Sequence, residues 1–210
     1  DTFDAVRGGG GAKMVTLYLD DPFWFYHMLR RLDVWDLILC SIPEMVARLR
    51  FVTDRPLAQM SQACDPALTF PEDPTPAERE QYGCDIGLVI AGYLDGAGIH
   101  RGAVLARLAR THRVRIYGTE GWHRIAREYP ILQRCYAGRP LRREEMNRCF
   151  RSAAIVLHLH HPQMRDGTTI RAFEIAGCGA FQLADFKAEL AGLFRLGEEL
   201  VCFKSVEELE

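Results

Sequence analysis

The chain has 210 residues, 48% hydrophobic and 26% charged, the balance of a soluble globular protein with apolar material for one large domain or two small ones. Its 26 Lys and Arg stand against 28 Asp and Glu for a formal net charge of −2, which removes any global electrostatic reason to bind nucleic acid or an anionic membrane; an anion site must be local. Seven cysteines, an odd number with no C-x-x-C pair, sit largely in apolar runs and read as free thiols of a reducing compartment. With no apolar run approaching ~20 residues and no basic-then-apolar leader, the expectation is a cytoplasmic protein without a membrane span.

In chain order, residues 1–12, with glycines at 8–11, read as a flexible leader. The opening on Asp1 and the stop at Glu210, inside an acidic stretch with the pattern of a starting helix, mark the chain as an expected fragment. A strand at 14–19, a helix at 23–31, a strand at 35–40, a helix at 43–51 opening on proline and a short strand at 57–61 form a partial α/β domain over 13–65. A proline-rich linker follows over 66–83: Pro66, Pro71, Pro74 and Pro76 among acids and threonines predict a stiff connection without a helix or central strand. From 84 to 210 the alternation restarts, with strands at 86–90, 114–117, 134–136, 154–159, 181–184 and 200–203. Helices are expected at 100–110, 122–128, 142–151, 169–177 and 187–194. Short apolar runs alternating with longer segments of helical period predict an α/β fold, a Rossmann-like parallel sheet with flanking helices.

Ligands of such sheets bind beyond the carboxyl ends of the strands, so the loops after Ile90 and Leu159 carry the candidate chemistry. The first contains Gly92, Tyr93, Gly96 and Gly98, with Arg101-Gly102 at the expected helix start. Glycine admits a close ligand and helix-terminal amides favour negative charge, so a phosphate would gain from both and from Arg101; the alternative is a glycine-rich turn with a solvated arginine. The spacing is not G-x-G-x-x-G, which argues against a nicotinamide dehydrogenase. In the second, Gly167, Thr168 and Thr169 lead into a helix predicted to pack through Ile170, Phe173 and Gly177. Arg171 and Glu174, three apart, are neighbours on that helix; an ion pair is one reading. The other is a carboxylate one turn inside the helix accepting from both hydroxyls of a ribose. His158, His160 and His161 suggest metal ligands, but no Cys or acid stands at a familiar zinc spacing, and packing or crevice lining is expected. Trp122 is expected in the core more than at a ligand.

With these residues in place, the stretch 84–210 resembles the C-terminal domain of CgeB-like proteins, spore-maturation and related glycosyltransferases grouped with the group-1 (family 4) retaining enzymes of GT-B fold. Arg171-Ala172-Phe173-Glu174-Ile175-Ala176-Gly177-Cys178-Gly179 resembles the family's R-x-F-E-x-x-x-C-G signature. Tyr117-Gly118 with Gly121-Trp122, and Tyr136-Ala137-Gly138-Arg139-Pro140-Leu141, occupy the places of two weaker patterns. Leu19-Asp20-Asp21-Pro22-Phe23 resembles the D-D-P-F turn of the N-terminal domain, whose opening elements would be missing here. The resemblance implies that Glu174 holds the ribose and that Asp166, with Asp where Glu is commoner, lies by the donor sugar. It also sets Arg101 at the diphosphate, with Tyr93 where a second base is expected, and the turn of Gly138 and Arg139 at the nucleobase. Gly92, Gly118 and the amides of Gly167, Thr168 and Thr169 complete the implied donor site. The implied reaction transfers a sugar from a nucleotide diphosphate sugar to an unknown acceptor with retention, needing no metal or cofactor, because arginines and helix amides stabilise the leaving diphosphate. A non-catalytic nucleotide-sugar-binding or spore-coat scaffold protein of the same fold, or a nucleotide-sugar epimerase, are the alternatives.

Overall fold

A computed structural model of the chain describes residues 13–19, 25–93 and 95–209. The predicted leader, the D-D-P-F turn and the start of the first predicted helix lie outside the described residues. The chain divides into two compact units, one formed by the described part of Asp1–Gln62 with Pro162–Thr168 and Lys187–Leu190, the other by Ala63–His161, Thr169–Phe186 and Ala191–Glu210.

In the first unit β1 (Val15–Tyr18), β2 (Leu37–Cys40) and β3 (Leu57–Gln59) form a parallel sheet in the order β1-β2-β3. Helix α1 (Phe25–Leu29), a 3-10 turn at Leu32–Val34 and α2 (Pro43–Leu49) connect them. Period-two burial in β2 sets Ile38 and Cys40 against Met45, Val46 and Leu49 of α2, with Met28, Ile42 and Met164 filling the same core. Pro43 sits in the first turn of α2, where its missing N–H costs nothing.

The second unit carries β4 (Cys84–Val89), β5 (Val114–Tyr117), β6 (Ala153–His158), β7 (Gln182–Asp185) and β8 (Val201–Phe203), all parallel in the order β5-β4-β6-β7-β8. Around them run α3 (Pro76–Tyr82), α4 (Gly96–Leu108), α5 (Gly121–Glu128), a 3-10 turn at Pro130–Arg134, α6 (Arg143–Ser152), α7 (Ile170–Gly177), α8 (Ala188–Leu193) and α9 (Val206–Leu209). Both sheet faces are covered. Ile86, Leu88 and Leu157 pack with Leu105, Trp122 and Ile125, whereas Val156, their neighbour of opposite parity, packs with Met146, Phe150, Ile175 and Cys178. The predicted α/β class with parallel sheets and flanking helices is the one observed.

Four details correct the sequence reading. The proline-rich stretch does hold a helix, α3: Pro76 occupies its first turn, and Thr75 and Glu78 form a reciprocal capping box. Helix α4 starts at Gly96 rather than 100, because Asp95 accepts from the amides of Ala97 (3.0 Å) and Gly98 (3.3 Å). The strand predicted at 134–136 is a 3-10 turn followed by one bridge between Ile116 and Tyr136. The packed face of α7 runs through Ala172, Ile175 and Cys178, while Ile170 is 42% exposed and Phe173 is only half-buried against Phe194. That rotation carries Glu174 inward.

Candidate functional site

The strand order of the second unit reverses between β4 and β6. Such a switch point opens a crevice beyond the carboxyl ends of the two strands. Arg101, in the second turn of α4, lies there and is 4% exposed. Its Nη2 donates to the Leu159 carbonyl (3.1 Å), after β6, and its Nη1 to the Ala91 carbonyl (3.4 Å), after β4. Its Nε has no hydrogen-bond partner among the described residues. Burial pulls the pKa of Arg101 down from the ordinary arginine value, against smaller opposing effects of Tyr93 and of Asp185 and Asp95, which act through space without an ion pair. A guanidinium remains charged even so. The Tyr93 ring, 5.3 Å from that guanidinium, covers one side, and the His161 ring meets Tyr93 edge-on at 5.4 Å.

Behind Arg101 the histidines pack. His160 gives both its amide and its Nδ1 to Asp185 Oδ1, each at 2.8 Å, and its ring lies 4.0 Å from that of His158. His158 reaches Thr169 Oγ1 (3.2 Å) and the Gln182 amide (3.1 Å). Burial, reinforced by His160, holds its pKa well below the ordinary histidine value, so it is neutral at pH 7. Gly92 and Gly118 serve close packing: a Cβ on Gly92 would lie 2.5 Å from the Trp122 amide, and one on Gly118 2.0 Å from the Ile90 carbonyl. Trp122 is fully buried and donates from Nε1 to Ile90 (2.9 Å), the core role expected of it.

On α7, Glu174 is 6% exposed. Its Oε2 accepts from Arg171 Nη1 and its Oε1 from Arg143 Nη1, both at 2.5 Å. Arg143 stands at the start of α6 and sends Nη2 to Thr69 Oγ1, also at 2.5 Å, with Thr69 itself 3% exposed. The Arg171 guanidinium lies 5.6 Å from the centre of the Phe150 ring. Two guanidiniums on one carboxylate leave this cluster with a net positive charge. The ion pair anticipated between Arg171 and Glu174 is therefore present, extended by an arginine that sequence reasoning did not single out. A signal existed: a basic residue in the first turn of a helix opposes the macrodipole and needs a partner elsewhere.

The turn at Gly138 has φ +77° and open space around it, while Arg139 turns toward α6 and clasps Glu145 through Nη1 (2.8 Å) and Nη2 (2.6 Å). Its carbonyl accepts from the Gly118 amide (3.2 Å). The remaining predicted residues, Asp166, Gly167 and Thr168, belong to the first unit. There one of the three amides expected to cradle phosphate meets a protein carboxylate instead, Thr168 N donating to Glu189 (2.7 Å), and the neighbouring Asp166 N donates to Glu44 (3.0 Å). Among the predicted residues, then, the second unit gathers Arg101 with Tyr93 and, on α7, Glu174 with Arg171.

A family model described as glycosyl transferase-like matches residues 101–210. A search of the curated proteins returns no match. Among solved structures, the chain is similar to sucrose-phosphate synthase from Thermosynechococcus elongatus, with a TM-score of 0.68, 16% identity and coverage of 98% of this chain and 58% of that one. It is also similar to an E. coli trehalose-6-phosphate protein bound with UDP-2-fluoro glucose (TM-score 0.62, 13% identity, 97% and 60% covered). Anabaena HepE in complex with UDP and glucose gives a TM-score of 0.62 at 13% identity, with 92% and 58% covered. These likenesses establish the fold, that of GT-B glycosyltransferases, and the chain spans less than two thirds of the length of each of these three proteins.

Proposed function

We propose that this chain, which belongs to the glycosyl transferase-like family, binds a nucleotide diphosphate sugar and serves its transfer to an acceptor with retained configuration, in the manner of the CgeB-like proteins it resembles. One observation carries the reading: a buried guanidinium, Arg101, at the switch point between β4 and β6, without an ion-pair partner among the described residues. Two of its five N–H donors are spent on carbonyls, and a diphosphate would take up others and supply the missing counter-charge. The printed ligands of the E. coli and Anabaena relatives, UDP-2-fluoro glucose and UDP with glucose, support that ligand class.

In this reading Arg101 and the amides of Gly167 and Thr169, Thr168 N being taken by Glu189, draw off the negative charge that builds on the leaving diphosphate, which is the main task such a transfer sets a protein. Glu174 holds the ribose through lone pairs not used by its arginines, Arg171 keeps that carboxylate in place, and Asp166 acts by the donor sugar. Tyr93 and Gly92 border the diphosphate, and the backbone at Gly118, Gly138 and Arg139 borders the base. Among the described residues no helix is long and apolar enough to cross a membrane; we read the protein as cytoplasmic.

Calorimetric titration with UDP, GDP, ADP and CDP tests the reading. One diphosphate is expected to bind the intact chain, and Arg101→Met is expected to weaken it by on the order of 2 kcal/mol, the scale of a hydrogen bond to a charged group. The matching nucleoside, lacking phosphates, should be insensitive to that change. Equal diphosphate affinity in a folded Arg101→Met variant would remove Arg101 from the site. Turnover of the sugar nucleotide without acceptor would favour an epimerase.

A further inference from the structure

The Glu174 cluster contains more restraint than an ion pair needs. A glutamate carboxylate turns easily about its last torsion, because a terminal sp3–sp2 bond has broad minima. Here each oxygen is held by a different arginine, Oε1 by Arg143 from α6 and Oε2 by Arg171 from α7. Arg143 is itself tethered, its second nitrogen on Thr69 Oγ1, a buried hydroxyl in the segment before α3. Both arginines also touch the same thioether, Met146 Sδ, at 3.6 Å from Arg143 and 3.9 Å from Arg171. Three separate segments thus define the plane of one carboxylate. Arg171 alone would satisfy the charge of Glu174, so Arg143 is surplus to neutralisation. What it adds is direction: each oxygen keeps one further lone pair, and the plane fixed by the two arginines determines where those lone pairs point.

We infer that Arg143 is a positioning residue that, anchored by Thr69, orients Glu174 toward a vicinal diol and thereby makes the site select ribonucleotides over 2′-deoxyribonucleotides. The inference rests on the proposed nucleotide-sugar reading and adds to it a residue and a selectivity. Removing Arg143 would leave Glu174 its charge partner Arg171 but free the carboxylate to turn, so the 2′-hydroxyl would lose its acceptor while the phosphates and base keep theirs. A purely structural arginine would instead weaken both nucleotides together.

The experiment compares UDP with 2′-deoxy-UDP, GDP with its deoxy form and ADP with its deoxy form, by titration on the full chain. Intact protein is expected to prefer the ribo form of its base by about tenfold or more, the scale of a hydroxyl bonded to a carboxylate. Arg143→Met and Glu174→Gln should each bring that ratio close to one, and the double variant should lower it no further, since the two act as a unit. Circular dichroism confirms folding. If Arg143→Met does not fold, Arg143→Lys takes its place: one ammonium cannot span Thr69 and Glu174 as a planar fork does, and the ratio should fall several-fold. A folded Arg143 variant that keeps the intact ratio, or loses both nucleotides equally, overturns the inference and leaves the nucleotide reading standing. Failure of the intact chain to bind any of UDP, GDP, ADP and CDP overturns both.

Discussion

Glu145 shows how a single residue can hold a turn in place. It accepts from Arg139 twice, from the Arg142 amide (2.7 Å) and from the Tyr82 hydroxyl (2.9 Å). The Arg139 bonds outweigh the opposing effect of burial, and with the Arg142 amide and Tyr82 they bring its carboxyl down to about 2. A depressed folded-state pKa stabilises above the unfolded carboxylate value and loses that contribution as pH falls toward the folded one. The gap in melting temperature between intact protein and Glu145→Gln should therefore be full at pH 7 and close between about pH 4.5 and pH 2. Because Arg139 is 42% exposed, the stabilisation at neutral pH is about 1 kcal/mol once solvent screening is allowed for. A gap that persists unchanged at pH 2.5 would dissociate the carboxylate from the turn's stability. The same cluster marks a limit of sequence reading. Arg139 was legible as part of the Gly138 turn, but its clasp on Glu145, which directs the side chain toward α6, depends on a φ of +77° at Gly138 and on the start of α6, neither of which local pattern specifies.

At the scale of elements, α4 separates two uses of glycine. A Cβ on Gly96 would meet nothing within 4 Å, whereas one on Gly98 would stand 1.7 Å from the Tyr93 carbonyl. Gly96→Ala is expected to stabilise by about 0.5 kcal/mol through the unfolded chain, and Gly98→Ala to destabilise by about 2 kcal/mol or more because backbone must move; urea unfolding of the pair measures both, and equal effects would refute the close approach. In the sequence both looked like components of a phosphate loop. The Asp95 cap that starts the helix earlier was readable, since Asp before a helical period is a preferred N-cap, but the glycines masked it. Helix α3 was legible in the same way: Thr75-Pro76-Ala77-Glu78 has capping-box spacing with proline in the first turn, and the count of prolines outweighed their positions. Thr75→Ala should cost about 1 kcal/mol, seen as a lower urea midpoint, and no change would mean that the box is dispensable.

For the whole molecule, the class and most elements were legible because strands covered on both faces read as short apolar runs and helices carry a period of 3.6, whatever the partner. The strand order β5-β4-β6-β7-β8 and the return of Pro162–Thr168 and Lys187–Leu190 to the first unit were not. The return depends on bonds such as that from the Asp166 amide to Glu44, 122 residues away in sequence, and the strand order on pairings such as that of β4 with β6, which leave no local trace. The cysteines were legible one by one, and their collective behaviour can be tested. All seven are free; Cys40, Cys84, Cys135, Cys149 and Cys178 are buried, and Cys64 and Cys202 partly so. Burial pushes Cys84 up to about 11 and Cys178 up to about 12, and raises Cys149 strongly as well. A thiol reacts as its thiolate, so at pH 8 these three combine a vanishing thiolate fraction with no access for a reagent. Ellman's reagent on native protein should register Cys64 first and Cys202 more slowly, with all seven appearing only in denaturant. Dithiothreitol should leave the melting temperature unchanged, since no cross-link constrains the unfolded chain. A reductant-sensitive melt would show that some of these thiols pair in solution, and with that the case for a reducing compartment would fall.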